Sequence, residues 1–295
     1  MWWKNKATPM QNAATLGILQ NPDPARWRDQ RFGLPRSRWE RLNGENFWVT
    51  GAGTGYGRCI SLALAAAGAQ VFITGRRAAK LQETLTEGIS LGIDMGRCIP
   101  VVADITSEPS LACAVDEIRR YAPWLHGLVN SAALPQPNAG QNPLVSQRLD
   151  AWNDLMATNV TGQWLASRAA LRLAGSEGFR IIFLSSEAGW ASTPGFGPYN
   201  ISKSAVNTLG ASMAAECALD FPERDIQINV LVPGEAHTEM NQGSSQSPYA
   251  VVCMALTLLS HPRGGPNGYF FHRDGRHLAF AYTPPFSNDL LAFAS

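Results

Sequence analysis

From Phe47 onward, short unbroken apolar runs alternate with longer stretches whose apolar residues fall at helical spacing, and few folds accommodate that alternation. The short runs occupy residues 47–50, 70–74, 99–103, 127–130, 180–184, 227–231 and 269–271. The helical stretches occupy 55–67, 78–88, 107–121, 149–173, 198–219 and 248–259. Runs that are apolar at consecutive positions suit strands covered on both faces, as in a parallel sheet, and parallel neighbours need helical crossovers between them. Such crossovers are right-handed. The expected architecture is therefore an α/β doubly wound parallel sheet of the Rossmann type, with about seven strands and helices on both faces. No internal repeat beyond this alternation and no low-complexity tract is visible.

The first run ends in Thr50-Gly51-Ala52-Gly53-Thr54-Gly55-Tyr56-Gly57 and leads into a helix. Gly51 suits a tight turn, Gly55 lets a pyrophosphate approach the backbone, and Gly57 lets the helix pack close to the strand; Gly53, Thr54 and Tyr56 complete the loop. A phosphate there would meet free N–H groups at a helix N-terminus. A glycine run alone is weak evidence, but this one closes a strand and opens a helix. The second run ends in Thr74-Gly75-Arg76-Arg77. An acidic residue at this place would hold the ribose 2′-hydroxyl of NAD, whereas Arg76 and Arg77 suit the 2′-phosphate of NADP. NADP is the expected cofactor, with NAD the other candidate; the blander reading leaves both arginines as solvated residues opening a helix.

The net charge of +1 gives no reason to expect nucleic acid as a partner. No apolar stretch is long enough for a membrane span; the most apolar, 250–259, suits a buried helix. Five dispersed cysteines without metal-ligand spacing suit reduced thiols in the cytoplasm and no metal site. Residues 1–43 differ in character from the rest of the chain. They carry eight basic side chains against three acidic ones, four prolines, and the tryptophans Trp2, Trp3, Trp27 and Trp39. The expected division is an irregular N-terminal arm over 1–43 and a single dinucleotide-binding catalytic domain over 44–295. The arm reads either as packing on its own body or a neighbouring subunit, or as a disordered leader.

Ser186 closes the fifth run in Leu184-Ser185-Ser186, and Tyr199-Asn200-Ile201-Ser202-Lys203 comes next in a helix. Tyrosine can donate or accept a proton at a reacting oxygen if its pKa falls from about 10 toward working pH. A fall of roughly three units needs about 4 kcal/mol. One ammonium at about 4 Å supplies roughly that at an effective dielectric near 20, and Lys203 lies four residues on along the same helix face.

Together with the glycine run, these residues resemble the short-chain dehydrogenase/reductase family over about residues 45–276. The resemblance implies a catalytic set of Asn159, Ser186, Tyr199 and Lys203, with Asn159 anchoring a water that links the lysine to solvent. It implies Asp104 and Ile105 at the adenine, Asn130 and Ala132 after the fourth strand, and Pro233, Gly234 and Thr238 at the carboxamide. Tyr199 and Lys203 serve the cofactor as well. Ser131 and Ala133 depart from the family's Asn-Asn-Ala-Gly, and Arg276 from its Asp-Gly-Gly. The resemblance further implies homodimers or homotetramers packed through 149–173 and 198–219, where Leu155, Met156, Trp164, Leu165, Leu209 and Met213 are interface or core candidates.

The substrate pocket is expected between 134–147, 187–196 and 235–247, at the carboxyl ends of the strands. Ser186 and Tyr199 would hold the reacting oxygen. Trp190 and Phe196 are candidates to stack on a ring, and Glu187, Glu235, His237 and Glu239 to bind hydroxyl or amine groups, which leans toward a sugar derivative or polyol. The expected activity is NADP-dependent interconversion of a carbonyl and a secondary alcohol on a small molecule. The rivals are a redox sensor that binds cofactor without turnover and a sugar-nucleotide enzyme using a transient keto intermediate.

Overall fold

The computed structural model describes residues 30–136, 140–190 and 193–278. Most of the expected arm, including Trp2, Trp3 and Trp27, lies outside these residues, as does 279–295. The strands are β1 (Asn46–Thr50), β2 (Gln70–Gly75), β3 (Cys98–Val102), β4 (Gly127–Asn130), β5 (Phe179–Leu184), β6 (Ile226–Val232), β7 (Phe270–His272) and β8 (His277–Leu278). They form one sheet in the order β3-β2-β1-β4-β5-β6-β7-β8. The first seven strands run parallel, and β8 pairs antiparallel with β7 as a short edge. That hairpin turns at Gly275, with φ of +83°, a conformation glycine adopts without strain. Asp274 secures it by accepting hydrogen bonds from the Arg276 backbone (3.0 Å) and side chain (2.7 Å).

Each interior strand buries both faces. Phe47, Val49, Val71 and Ile73 face one apolar layer, and Trp48 and Phe72 face the other. The first layer is closed by α2 (Gly55–Ala66) and α8 (Val252–Leu259), the second by α4 (Glu108–Arg119), α6 (Gln163–Leu171) and α7 (Pro198–Asp220). Before the sheet begins, α1 (Arg36–Arg41) forms a short helix. Phe32, Leu34 and Leu42 are buried in the same layer as α8, and Arg38 hydrogen-bonds Ser260 Oγ at 3.1 Å and the Thr257 carbonyl. Among the described residues no helix is long and apolar enough to cross a membrane.

The stretch 149–173, expected as one helix, is three pieces: α5 (Leu149–Met156), a π turn (Ala157–Gly162) and α6. The wider turn swings Asn159 fully inward, where its amide bridges to the chain after β4. Leu155, Leu165 and Met213 are buried within the protomer, whereas Trp164 is exposed with the Arg168 guanidinium 4.6 Å over its ring. From β1 the chain moves outward to β2 and β3, then returns to add β4 on the other side. The connections therefore part at the carboxyl ends of β1 and β4, and a crevice opens there.

Candidate active site

A cleft of about 310 Å³ occupies that crevice, lined by the glycine turn, Gly75 to Arg77, Lys80, Ala103 to Ile105, Ser131 to Leu134, Thr158 and Thr238 to Met240. Its floor is bare backbone for steric reasons. Gly51 has φ of +65°, and a Cβ there would lie 2.6 Å from Ala132 N and Cα. A Cβ on Gly57 would run into the Gly51 carbonyl, so helix α2 seats directly on the turn. Thr54 precedes α2 in extended conformation and makes no side-chain capping bond, which leaves the first-turn N–H groups to an incoming anion. Bare turn, helix N-terminus and crevice fit the pyrophosphate of a dinucleotide.

Gly51, Gly53, Thr54, Gly55, Tyr56, Arg76, Arg77, Asp104, Ile105, Ala132 and Thr238 all line this cleft. Asp104 spends one oxygen on Thr106 (2.9 and 2.8 Å) and holds the other 4.0 Å from Arg76. Asn130 departs from expectation. It is fully buried, donates to Ser167 Oγ at 2.8 Å and does not line the cleft, because the last residue of β4 points into the helix layer. Pro233 and Gly234 are likewise off the cleft; the Gly234 carbonyl accepts the Tyr56 hydroxyl at 2.6 Å, and Arg273 donates to the Pro233 carbonyl at 3.3 Å. Lys80 and Thr158 line the cleft without having been foreseen, whereas Glu239 and Met240, expected in the substrate pocket, line the cleft beside Arg76 and Arg77 instead. For Lys80 a signal existed, a third cation within four residues of Arg76.

Strand alternation sorts the two serines after β5. Ser185 is buried and donates to Asn207 Oδ1 at 2.6 Å, whereas Ser186 faces outward, accepts the Ala188 N–H at 3.1 Å and lies beside the Tyr199 side chain. Lys203, one turn beyond Tyr199 on α7, is buried; its Nζ donates to the Leu184 carbonyl at 2.9 Å and lies 5.6 Å from the Tyr199 ring centre. Asn159 accepts from Leu134 N at 2.7 Å and donates to the Leu134 carbonyl and to Ser202 Oγ, each at 3.1 Å. It therefore ties the chain after β4 to the helix bearing Tyr199 and Lys203.

The electrostatics reverse one expectation. Burial, abetted by the nearby Glu187 carboxylate, outweighs the Ser186 hydrogen bond and pushes Tyr199 up to about 12. Burial also lowers Lys203 to about 8. Desolvation penalises the charged form of each. The phenol therefore carries its proton at neutral pH.

Around these groups, Glu187 lies with one oxygen 3.4 Å from His272 Nε2, and His272 Nδ1 is 2.9 Å from Asp274. Burial is the largest influence and raises the Glu187 carboxyl, but the His272 hydrogen bond, a backbone N–H and the His272 and Arg273 charges together hold it below its ordinary value. Trp190 turns its ring edge-on against Phe270 at 5.2 Å, joining the core layer rather than offering a stacking face. Phe196 is half-buried in a bridge with Asn142, and His237 is exposed with Nδ1 3.2 Å from the Ser244 carbonyl. Glu239 pairs with Arg77 and Lys80.

A family profile described as short chain dehydrogenase matches residues 45–248. The chain belongs to that family. Mouse (Mus musculus) Dehydrogenase/reductase SDR family member 1 is 32% identical over 203 residues, 68% of this chain and 63% of the relative, so the match spans less than two thirds of that protein. Galactitol 2-dehydrogenase (L-tagatose-forming) of Cereibacter sphaeroides is 36% identical over 211 residues, 70% of this chain and 78% of that one. Among solved structures, a short chain dehydrogenase from Mycobacterium smegmatis superposes with a TM-score of 0.69 at 28% identity, covering 81% of this chain and 95% of its own. In this short-chain dehydrogenase the family profile takes in the glycine turn, Ser186, Tyr199 and Lys203, and stops short of β7 and β8.

Proposed function

We propose that this chain is an NADP-dependent oxidoreductase interconverting a carbonyl and a secondary alcohol, with residues 44–295 acting as one catalytic domain. The observation that carries this reading is the placement of Tyr199 beside Ser186 and one helical turn before buried Lys203, at the carboxyl end of β5 beside the dinucleotide-shaped cleft. A bound nicotinamide cofactor supplies or takes the hydride. Ser186 orients the substrate oxygen, and Tyr199, protonated at neutral pH, gives its proton to the developing alkoxide. Lys203 restores the phenol's proton, and Asn159 fixes the geometry of the helix carrying both. Glu187, steadied by His272, offers an acceptor to a neighbouring substrate hydroxyl, which favours a polyol or sugar derivative. Two relatives support that class by name, galactitol 2-dehydrogenase and the gluconate 5-dehydrogenase of Gluconobacter oxydans, the latter 30% identical over 202 residues.

Fluorescence titration with NADPH, followed by turnover on a panel of keto-sugars, polyols and aldehydes, tests the proposal against a Tyr199→Phe variant. The variant should bind cofactor and lose on the order of 10²–10⁴-fold in turnover. Cofactor binding with no turnover on any member of the panel would instead favour a sensor, and equal turnover in the variant would remove Tyr199 from the reaction.

A further inference from the structure

The corner where β2 meets α3 (Ala78–Ser90) looks strongly cationic in sequence, with Arg76, Arg77 and Lys80 close together. In the folded protein each of these charges already faces a carboxylate. Arg76 Nη1 is 4.0 Å from Asp104 Oδ2. Arg77 Nη2 is 2.9 Å from one oxygen of Glu239, and the other oxygen of the same carboxylate is 3.1 Å from Lys80 Nζ. Lys80 also meets Glu83 at 2.9 Å. Glu239 lies 162 residues beyond Arg77 along the chain, on the segment after β6. That segment reaches over the glycine turn: a Cβ on Gly55 would lie 3.3 Å from Thr238 Cγ2. Thr238, Glu239 and Met240 line one wall of the cleft while Arg76, Arg77 and Lys80 line the other.

We propose that Glu239 is a cofactor-selectivity residue: its carboxylate bridges Arg77 and Lys80 across the cleft and competes with the 2′-phosphate of NADP for them. The inference rests on the dinucleotide reading of the cleft. A 2′-phosphate brings about two negative charges to a corner where Glu239 already occupies the donors of Arg77 and Lys80, so it has to displace that carboxylate. The uncharged 2′-hydroxyl of NAD makes no such demand. The bridge also joins the segment after β6 to the β2–α3 corner, so displacing it frees 238–240 to rearrange as NADP enters. Both ion pairs are partly exposed, which keeps the effect to a few-fold and makes it salt-dependent.

Calorimetric titration of wild type and Glu239→Gln with NADP, NAD, 2′,5′-ADP and 5′-ADP at low and high salt tests this. The two ADP isomers separate the 2′-phosphate from any effect at the nicotinamide end. The variant should bind NADP and 2′,5′-ADP about three- to ten-fold more tightly at low salt, with the gain shrinking at high salt. NAD and 5′-ADP should change by less than about two-fold. If Glu239→Gln weakens NADP and NAD alike, or leaves their ratio unmoved, Glu239 merely holds the segment and the proposal falls while the dinucleotide reading stands. If wild type binds none of the four, both fall together.

Discussion

Lys203 and Tyr199 illustrate what single residues owe to their surroundings. Their places were legible because the signals are local: a strand-end serine pair, a tyrosine thirteen residues on from Ser186, and a lysine one helical turn later. Their protonation was not legible, because it is set by burial contributed from β5, α7 and the Glu187 turn together. The same holds for Trp190 and Asn130, whose orientation depends on packing partners distant in sequence. Burying Lys203 has a thermodynamic consequence. Its pKa falls from 10.5 to about 8, so between those values the unfolded chain binds more protons than the folded one, and stability rises with pH. Below pH 8 the buried charge is a net cost. Lys203→Met should therefore raise the stability of the cofactor-free protein at pH 7 by about 1–3 kcal/mol, with the gain fading toward pH 10.5. Urea denaturation at the two pH values measures it, and an equal effect at both would contradict the assigned shift.

Elements were read from the sequence nearly to their ends wherever a run was continuously apolar. The expected strand at 180–184 is Phe179–Leu184, and the expected helix at 55–67 is Gly55–Ala66. What escaped reading has a physical reason in each case. The π turn at Ala157–Gly162 obeys no side-chain period; it exists because Asn159 must reach Leu134 while α6 stays packed on the sheet. β8 is too short to show alternation, and α1 is fixed by burial of its flanking Leu34 and Leu42 rather than by any apolar face of its own. The junction of β1 and α2 is a tight backbone contact. Gly57→Ala would press a methyl against the Gly51 carbonyl and lift the helix off the turn. It should cost about 1–3 kcal/mol of stability and weaken cofactor binding by about ten-fold. Denaturation and calorimetry report the two effects separately, and unchanged cofactor affinity would mean that the turn does not hold the pyrophosphate.

The whole molecule derives its site from topology. Because the strand order reverses between β1 and β4, the cleft opens at their carboxyl ends, and the next strand outward, β5, delivers Ser186 beside it. The molecule thus has two unlike regions side by side: an exposed, charge-balanced corner around Arg76, Arg77, Lys80 and Glu239, and a drier one around Ser186, Tyr199 and Lys203. Strand–helix alternation made this division readable in outline. The closing contacts of 238–240 could not be read, since they pair residues such as Arg77 and Glu239, 162 positions apart in sequence. The central claim is that Tyr199 meets the substrate oxygen where a nicotinamide meets its carbon. A crystal structure with NADP and a turned-over alcohol bound tests it directly. Tyr199 Oη should lie about 2.6–3.2 Å from the substrate oxygen, with Ser186 Oγ on the same atom and the nicotinamide C4 about 3–3.5 Å from the carbinol carbon. A nicotinamide lodged away from β5, or a phenol turned from the substrate in that complex, would contradict the account.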